Sequence, residues 1–129
     1  MKVYLVQTSE AKRPLISIVD DDLSIRDALK MLFESADFSA EVFESAEEFL
    51  AAGHIAESAC LVLDVQLPGI SGIELQDRLR AAGNHTAVIF ITAHPDEHVR
   101  AHAMKAGACN VFSKPFSGED LLSAVRASA

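Results

Sequence analysis

Short apolar runs alternate along the chain with longer segments in which apolar residues recur every three or four positions. The short runs are rich in β-branched residues and predict buried strands. They cover residues 15–19, 39–43, 60–63, 87–91 and 110–113, and the signal is weakest for 39–43. The longer segments have the period of an amphipathic helix. The pattern therefore predicts that strands and helices alternate from residue 15 to the end of the chain.

Local signals mark where the predicted helices begin and end. A serine followed three residues later by an acidic residue is typical of a helix N-terminus. Such pairs are Ser45/Glu48, Ser71/Glu74 and Ser117/Asp120. Pro95 is expected to open the fourth helix, because proline is favoured in the first helical turn. The second, third and fourth helices are predicted to end at Gly53, Gly83 and Gly107.

The alternation predicts the fold class. Continuous apolar strands separated by helices are typical of a parallel sheet that is covered by helices on both faces. We expect a flavodoxin-like (βα)5 three-layer α/β sandwich with a five-stranded parallel sheet in the order 2-1-3-4-5. Residues 14–129 are predicted to form this single domain, and residues 1–13 an N-terminal tail in which VYL could pair locally.

Composition narrows the range of partners. The chain has 129 residues, of which 50% are hydrophobic and 23% charged, as is ordinary for one globular domain. Its net charge of -8 argues against direct contact with nucleic acid or an anionic membrane. Cys60 and Cys109 stand alone in the sequence. They lie on the third predicted strand and just before the fifth, which is too far apart for a disulfide. Because residues 1–13 also make a poor signal peptide, we expect a cytoplasmic protein.

Polar side chains follow four of the predicted strands. They are Asp20 and Asp21, Asp64, Thr92 and Lys114. The carboxyl ends of parallel strands share one edge of the sheet, and the first and third strands are neighbours where the strand order reverses. The three aspartates are therefore predicted to converge, and such a cluster is repulsive unless a cation joins it. Asp22 is expected to point away and to cap the first helix.

This set of residues predicts a chemistry. Carboxylate oxygens with few other protein ligands suit Mg²⁺, which keeps several waters. Together with Lys114, the metal would neutralise the charge on a transferred phosphoryl group while Asp64 attacks as the nucleophile. An aspartate after a strand is, taken alone, more often a turn or a helix cap. Several such residues with complementary charges at the same edge favour a phosphoryl-transfer site.

The chain resembles the receiver domains of two-component response regulators from residue 15 to about residue 127. The matching segments are IVDDD, LVLDVQLPGISGIEL, VIFITAH, AMKAGA and FSKPF. The resemblance implies a phosphorylation-operated switch in which Asp64 accepts a phosphoryl group from a sensor histidine kinase. IVDDD and the Thr-Ala-His stretch are similar to receivers fused to helix-turn-helix transcription factors. They favour a regulator that continues past Ala129 into a DNA-binding domain over a stand-alone receiver.

The resemblance also implies the metal ligands. Mg²⁺, or Mn²⁺ in its place, would be bound by Asp21, Asp64 and the backbone carbonyl of Gln66, with Asp20 acting mostly through water. Such a domain is not an enzyme in the usual sense, since it catalyses only its own phosphorylation and slow dephosphorylation.

Further residues are implied to act on the phosphoryl group. Thr92 would donate a hydrogen bond to it and Lys114 would pair with it, and the peptide bond before Pro115 would be cis. The side chains of Gln66 and His94 would flank the site and influence how fast the acyl phosphate hydrolyses.

One position departs from the commonest family pattern. Three residues before the lysine, many members have Tyr or Phe, whose ring swings inward and remodels the surface of the fourth helix, fifth strand and fifth helix. This surface often forms a homodimer on phosphorylation. Here the position is Val111, which cannot swing in this way, and Phe112 is expected to face the other side of the sheet. We therefore expect coupling to run mainly through the start of the fourth helix.

An enzyme is the alternative prediction. Magnesium-dependent phosphohydrolases of the haloacid-dehalogenase class also use a strand-end aspartate with Thr, Lys and Mg²⁺. Their motif is Asp-x-Asp-x-Thr, whereas Asp20-x-Asp22 is followed here by Ser24, and there is no insertion that would enclose a substrate.

Two further patterns have less specific interpretations. LPGISG lacks the lysine and the spacing of a P-loop, and it is expected to shape the rim of the acidic pocket. His94, His98 and His102 have the spacing of one helix face. A solvated histidine face is the expected outcome, with a pH-sensitive contact surface as the alternative.

Overall fold

The computed structural model describes residues 13–52, 54–94 and 96–128 of the chain. The strands in these ranges are β1 (Leu15–Val19), β2 (Ser39–Phe43), β3 (Ser58–Asp64), β4 (Ala87–Thr92) and β5 (Asn110–Ser113). The α-helices are α1 (Leu23–Ser35), α2 (Ala46–Ala52), α3 (Gly72–Ala81), α4 (Glu97–Lys105) and α5 (Gly118–Ser128), and a short 3₁₀ helix, Ile55–Glu57, precedes β3. None of the described helices has the length and apolar character that crossing a membrane requires.

The strands form one parallel sheet in the order β2-β1-β3-β4-β5. Ile16 of β1 lies opposite Ala40 of β2 on one side and Cys60 of β3 on the other. The predicted flavodoxin-like fold and strand order are therefore confirmed. Because β1 and β3 are neighbours, the residues that follow them lie at the point where the strand order reverses.

Side chains alternate between the two faces of the sheet and form two separate cores. The first core lies under α2, α3 and α4, and its members include Val19, Leu63, Phe90, Val111, Phe49, Leu75 and Ala103. The second lies under α1 and α5, and its members include Ile18, Val62, Ile89, Ile91, Phe33, Leu121 and Val125. Burial of each large apolar side chain contributes about 1.5–3 kcal/mol to the stability of the fold. The two cores therefore fix the sheet, and with it the edge where its strands end.

The three serines that were predicted to precede helices cap them in the structure. The hydroxyls of Ser45, Ser71 and Ser117 accept hydrogen bonds from backbone N–H groups three residues later, at 3.0, 3.1 and 3.3 Å. These hydroxyls satisfy N–H groups that have no partner within the helix. This part of the prediction is confirmed.

The predicted start of α4 needs a correction. The helix begins at Glu97, and the Asp96 carboxylate caps it by accepting a hydrogen bond from the His98 N–H at 2.7 Å. An aspartate is a strong N-cap, and here it sets the boundary. His94 therefore precedes the helix, so the three histidines do not share one helix face, although His98 and His102 both lie on α4. All three are exposed, as the interpretation of solvated histidines expects. Pro95 itself, the predicted helix end at Gly53 and the pairing of VYL lie outside the described residues.

Strand β3 begins earlier than predicted. It starts at Ser58, whose buried hydroxyl lies 2.7 Å from the hydroxyl of Ser17 on β1. The hydrogen bond between the two hydroxyls satisfies both of them inside the sheet. The local sequence does not indicate this contact between neighbouring strands. Both Cys60 and Cys109 are free thiols, as predicted.

Candidate functional site

Three aspartates meet at the carboxyl ends of β1 and β3. Asp20 and Asp21 follow β1, and Asp64 is the last residue of β3. One carboxylate oxygen from each of the three lies within 4.8 Å of the other two. Asp20 and Asp64 are only 0% and 4% exposed, whereas Asp21 is exposed to solvent. The sheet thus brings these carboxylates together, as the strand order predicts.

Backbone N–H groups orient the two buried carboxylates. Asp20 Oδ1 accepts a hydrogen bond from the Asp22 N–H at 2.9 Å, and Asp64 Oδ1 accepts one from the Gln66 N–H at 3.0 Å. The Asp22 side chain turns away and accepts from the Ser24 N–H at 2.8 Å, so its predicted role as the cap of α1 is confirmed. Each buried carboxylate is therefore held by the turn that follows its own strand.

Lys114 reaches the same cluster from the end of β5. Its Nζ lies 2.9 Å from Asp20 Oδ2 and 3.2 Å from Asp64 Oδ2. Its backbone N–H donates to the Thr92 carbonyl at 2.7 Å, and the Lys114–Pro115 peptide bond is cis. Burial lowers the pKa of Lys114, but the hydrogen bonds and charges of Asp20 and Asp64 outweigh it and raise that pKa overall. The ammonium therefore stays protonated between two carboxylates.

The cluster carries more negative than positive charge. Burial raises the pKa of Asp64, and the charge of Asp20 raises it further, against the opposing effects of Lys114 and the Gln66 N–H. When all groups are ionised, the ammonium of Lys114 leaves two of the three carboxylate charges uncompensated. A divalent cation with a preference for oxygen would balance this excess. The donor set of Asp20, Asp21 and Asp64 therefore fits Mg²⁺.

Protein that contains no metal should lose stability as Asp64 ionises. Since the pKa of Asp64 is higher in the folded than in the unfolded state, the unfolded state loses its proton first as the pH rises, and stability falls across that interval. We expect Asp64→Asn to increase the free energy of unfolding at pH 7 by about 1 kcal/mol, a common size for single substitutions. The gain should shrink as the pH is lowered toward 4.

Urea unfolding in EDTA at several pH values measures this difference. Asp27→Asn is the matched control, because it removes the same charge from an exposed position on α1. A variant at Asp64 that is less stable than the wild type at pH 7, or whose difference does not change with pH, would contradict the electrostatic account.

The loop between β3 and α3 borders the cluster, as predicted for LPGISG. A Cβ atom at Gly72 would overlap the Asp64 carbonyl oxygen, so only glycine lets α3 start this close to the site. Gly69 has a φ of 75° and lies against the Glu47 carboxylate, which accepts a hydrogen bond from the Ile70 N–H at 3.1 Å. Contact with α2 therefore fixes the loop at the rim.

Thr92 ends β4 and is fully buried. Its hydroxyl donates to Gln66 Oε1 at 3.0 Å and accepts from the His94 N–H at 3.1 Å. The side chains of Gln66 and His94 are themselves exposed at the mouth of the site. All three residues were predicted to lie near the cluster, but the bond between Thr92 and Gln66 was not predicted. These residues are 26 positions apart, and no local signal links them.

Val111 is 5% exposed and packs in the first core, while Phe112 packs against the second. A cavity of about 120 Å³ lies between α4 and β5, and its lining includes Thr92, Arg100 and Val111. The Arg100 guanidinium donates to the Val111 carbonyl at 3.1 Å and so ties α4 to β5. For comparison, an engineered cavity of about 150 Å³ accommodates benzene, so the space beside Val111 approaches the size of an aromatic ring.

Comparison with known proteins identifies relatives over nearly the whole chain. The family profile described as "Response regulator receiver domain" matches residues 16–126. The transcriptional regulatory protein FixJ of Azorhizobium caulinodans is 42% identical over 113 residues, which are 88% of this chain and 54% of that protein. The response regulator protein TodT of Pseudomonas putida is also 42% identical, with 88% and 50% covered. The chain thus spans about half the length of these curated relatives.

Solved structures agree in fold. The low-resolution structure of the response regulator StyR has a TM-score of 0.84 and 43% identity, covering 90% of this chain and 59% of that one. The BeF3-activated DrrB receiver domain has a TM-score of 0.81 and 30% identity, with 89% and 96% covered.

These matches decide between the two predictions of function. The alternative, a phosphohydrolase of the haloacid-dehalogenase class, finds no support, since the matching family and the structures above are response regulators and their receiver domains. The relatives FixJ and TodT are regulators, which agrees with a signalling role for this chain rather than a metabolic one. The chain belongs to the receiver-domain family of two-component response regulators.

Proposed function

We propose that this receiver is switched by a phosphoryl group carried on Asp64. The observation that supports the assignment is the cluster itself, in which the Asp64 carboxylate shares Lys114 with Asp20 and lies beside Asp21. Asp20 has similar contacts, and Asp64 is assigned as the acceptor because it ends the third strand, the position of the phosphoacceptor in the receiver family. A nucleophilic carboxylate beside a cation is suited to accept a phosphoryl group.

The donor is a phosphohistidine on a sensor histidine kinase. A carboxylate oxygen of Asp64 forms a bond to phosphorus while the bond from phosphorus to the imidazole nitrogen breaks, and the electron pair of that bond leaves on the imidazole. Lys114 balances charge on the phosphoryl oxygens. Asp21, Asp64 and the Gln66 backbone carbonyl would hold Mg²⁺ or Mn²⁺, with Asp20 acting through water, and the metal would supply further charge neutralisation.

The remaining residues receive and stabilise the product. The Thr92 hydroxyl turns toward the phosphoryl group and donates a hydrogen bond to it. The side chains of Gln66 and His94, which are exposed at the mouth of the site, influence the access of water and therefore the lifetime of the acyl phosphate. The chain thus acts only on its own phosphorylation and slow dephosphorylation.

An apolar groove next to Lys114 offers a place for the kinase. It is lined by residues of α1 and of the segment after β5, among them Ile25, Leu29, Leu32, Pro115 and Phe116, and has a volume of about 350 Å³. On α1, Leu23 and Met31 are 61% and 71% exposed. A phosphohistidine must come close to Asp64, so its protein must contact surface near the site. We also propose that this exchange takes place in the cytoplasm, with which the free thiols of Cys60 and Cys109 are compatible.

The output is transcription, controlled by a domain other than this one. FixJ, which this chain matches over about half its length, is named a transcriptional regulatory protein. Phosphorylation would alter the surface formed by α4, β5 and α5 and promote a homodimer there. The net charge of -8 argues that this segment contacts neither nucleic acid nor membrane itself.

Asp21→Asn should weaken Mg²⁺ binding by more than about tenfold and abolish metal-dependent phosphorylation. The substitution removes one of few anionic ligands for a hard cation that tolerates few alternatives. Titration calorimetry with Mg²⁺ measures the affinity. Asp22→Asn is the matched control, since it removes the same charge one residue away, where the side chain caps α1 and points out of the cluster. Wild-type affinity in the Asp21 variant would reject the ligand assignment.

A further inference from the structure

The proton of the Thr92 hydroxyl is already engaged. A hydroxyl has one hydrogen to donate, and in Thr92 it is directed at Gln66 Oε1, 3.0 Å away. The lone pairs of the same oxygen accept the His94 N–H at 3.1 Å. Because Thr92 is fully buried, its hydroxyl has no access to solvent as an alternative partner. The Gln66 side chain is therefore the acceptor that satisfies it.

A phosphoryl oxygen on Asp64 would compete for this proton. Thr92 cannot donate to the phosphoryl group and to Gln66 at the same time, so the bond to Gln66 must break first. Gln66 is also tied to Asp64, because its backbone N–H donates to Asp64 Oδ1 at 3.0 Å. The same residue thus contacts both the acceptor of the phosphoryl group and the hydroxyl that is to bind it.

We propose that the Gln66 side chain is a positioning residue that holds Thr92 in the resting state and sets the threshold for the switch. This inference rests on the proposed role of Asp64. The exposed Gln66 amide can exchange Thr92 for water at low cost, whereas a buried acceptor would be left without a partner. The hydrogen bond between Thr92 and Gln66, called the latch below, is therefore reversible. Loss of an ordinary neutral hydrogen bond corresponds to about a fivefold change in an equilibrium constant.

The release of Thr92 has a direct consequence for α4. The His94 N–H is bonded to the same hydroxyl, and Asp96, two residues further on, caps α4. When the hydroxyl turns from Gln66 toward Asp64, the His94 N–H either moves with it or loses this hydrogen bond. The cavity of about 120 Å³ between Thr92 and the first turn of α4 leaves room for such a movement.

A double-mutant cycle tests the latch in metal-free protein. Gln66→Met keeps the length of the side chain but removes the acceptor, and Thr92→Val keeps the shape but removes the donor. In urea unfolding with EDTA, we expect Gln66→Met to lower the folding equilibrium constant about fivefold in the wild-type background and to leave it unchanged beside Thr92→Val. Thr92→Ser, which keeps a hydroxyl, should restore the effect. Equal effects in all backgrounds would overturn the latch.

The second readout is binding of beryllofluoride, a phosphoryl mimic, in the presence of Mg²⁺. Removing a resting-state bond should tighten its affinity, so Gln66→Met is expected to bind about fivefold more strongly than the wild type. The gain should vanish beside Thr92→Val. An unchanged affinity of Gln66→Met would overturn the proposed threshold even if the metal-free cycle shows coupling. Failure of the wild type to bind beryllofluoride while that coupling persists would instead reject Asp64 as the phosphoacceptor.

Discussion

Acetyl phosphate should label the wild-type protein stoichiometrically, and Asp64→Ala should reduce the label to background. The reaction requires a positioned carboxylate and neutralised charge, both of which this chain supplies with Mg²⁺, so no partner enzyme is needed for a small, reactive donor. Asp64 is 4% exposed, and the charge of Asp20 opposes its ionisation, so its removal relieves repulsion in the folded state. The variant should therefore remain folded, as a thermal melt in EDTA can verify.

Mass spectrometry of the intact protein measures the stoichiometry, and the stability of the label identifies its chemistry. Acyl phosphates are labile, whereas phosphate on serine survives acid. Asp22→Ala is the control, because it removes a neighbouring carboxylate that points away from the cluster. An acid-stable label on a serine, or full labelling of Asp64→Ala, would show that the phosphoacceptor has been assigned to the wrong residue.

The sequence predicts the fold and the convergence of the carboxylates for the same physical reason. Strands buried on both faces must be continuously apolar, so the first polar residue after each strand marks the carboxyl edge of the sheet. Asp20 and Asp64 are such residues, and the position of β1 beside β3 brings them together. The prediction of the cluster therefore needed only the alternation of elements and the usual strand order.

Contacts between distant side chains could not be predicted in this way. The Gln66 amide and the Thr92 hydroxyl are 26 residues apart, and many acceptors could have satisfied a buried threonine. The bond from Arg100 to the Val111 carbonyl depends equally on how α4 packs on β5. Two predicted element boundaries were wrong. The start of β3 was missed because a tertiary hydrogen bond satisfies the Ser58 hydroxyl, and the start of α4 was missed because Asp96 caps the helix.

Val111 changes how a phosphorylated site can be coupled to the α4-β5-α5 surface. Valine has one stiff side-chain torsion and far less area to bury than an aromatic ring. It is already packed in the first core at 5% exposure, so it has no exposed state to leave. The coupling should then pass through Thr92 and the His94 N–H bonded to it, which lie at the chain's route into α4.

Thr92→Ala should therefore remove most of the phosphorylation-linked gain in dimer affinity, at least about tenfold, since it deletes the hydroxyl that senses the phosphoryl group. Val111→Ala should change the gain by less than about threefold, although it should destabilise the fold by about 1–3 kcal/mol by enlarging the adjacent cavity.

Ser113→Ala is the matched control, because it removes another hydroxyl from the lining of the same cavity. Sedimentation with and without beryllofluoride measures dimer affinity for each variant. If Val111→Ala abolishes the gain while Thr92→Ala preserves it, the coupling runs through β5 and the proposed route is wrong.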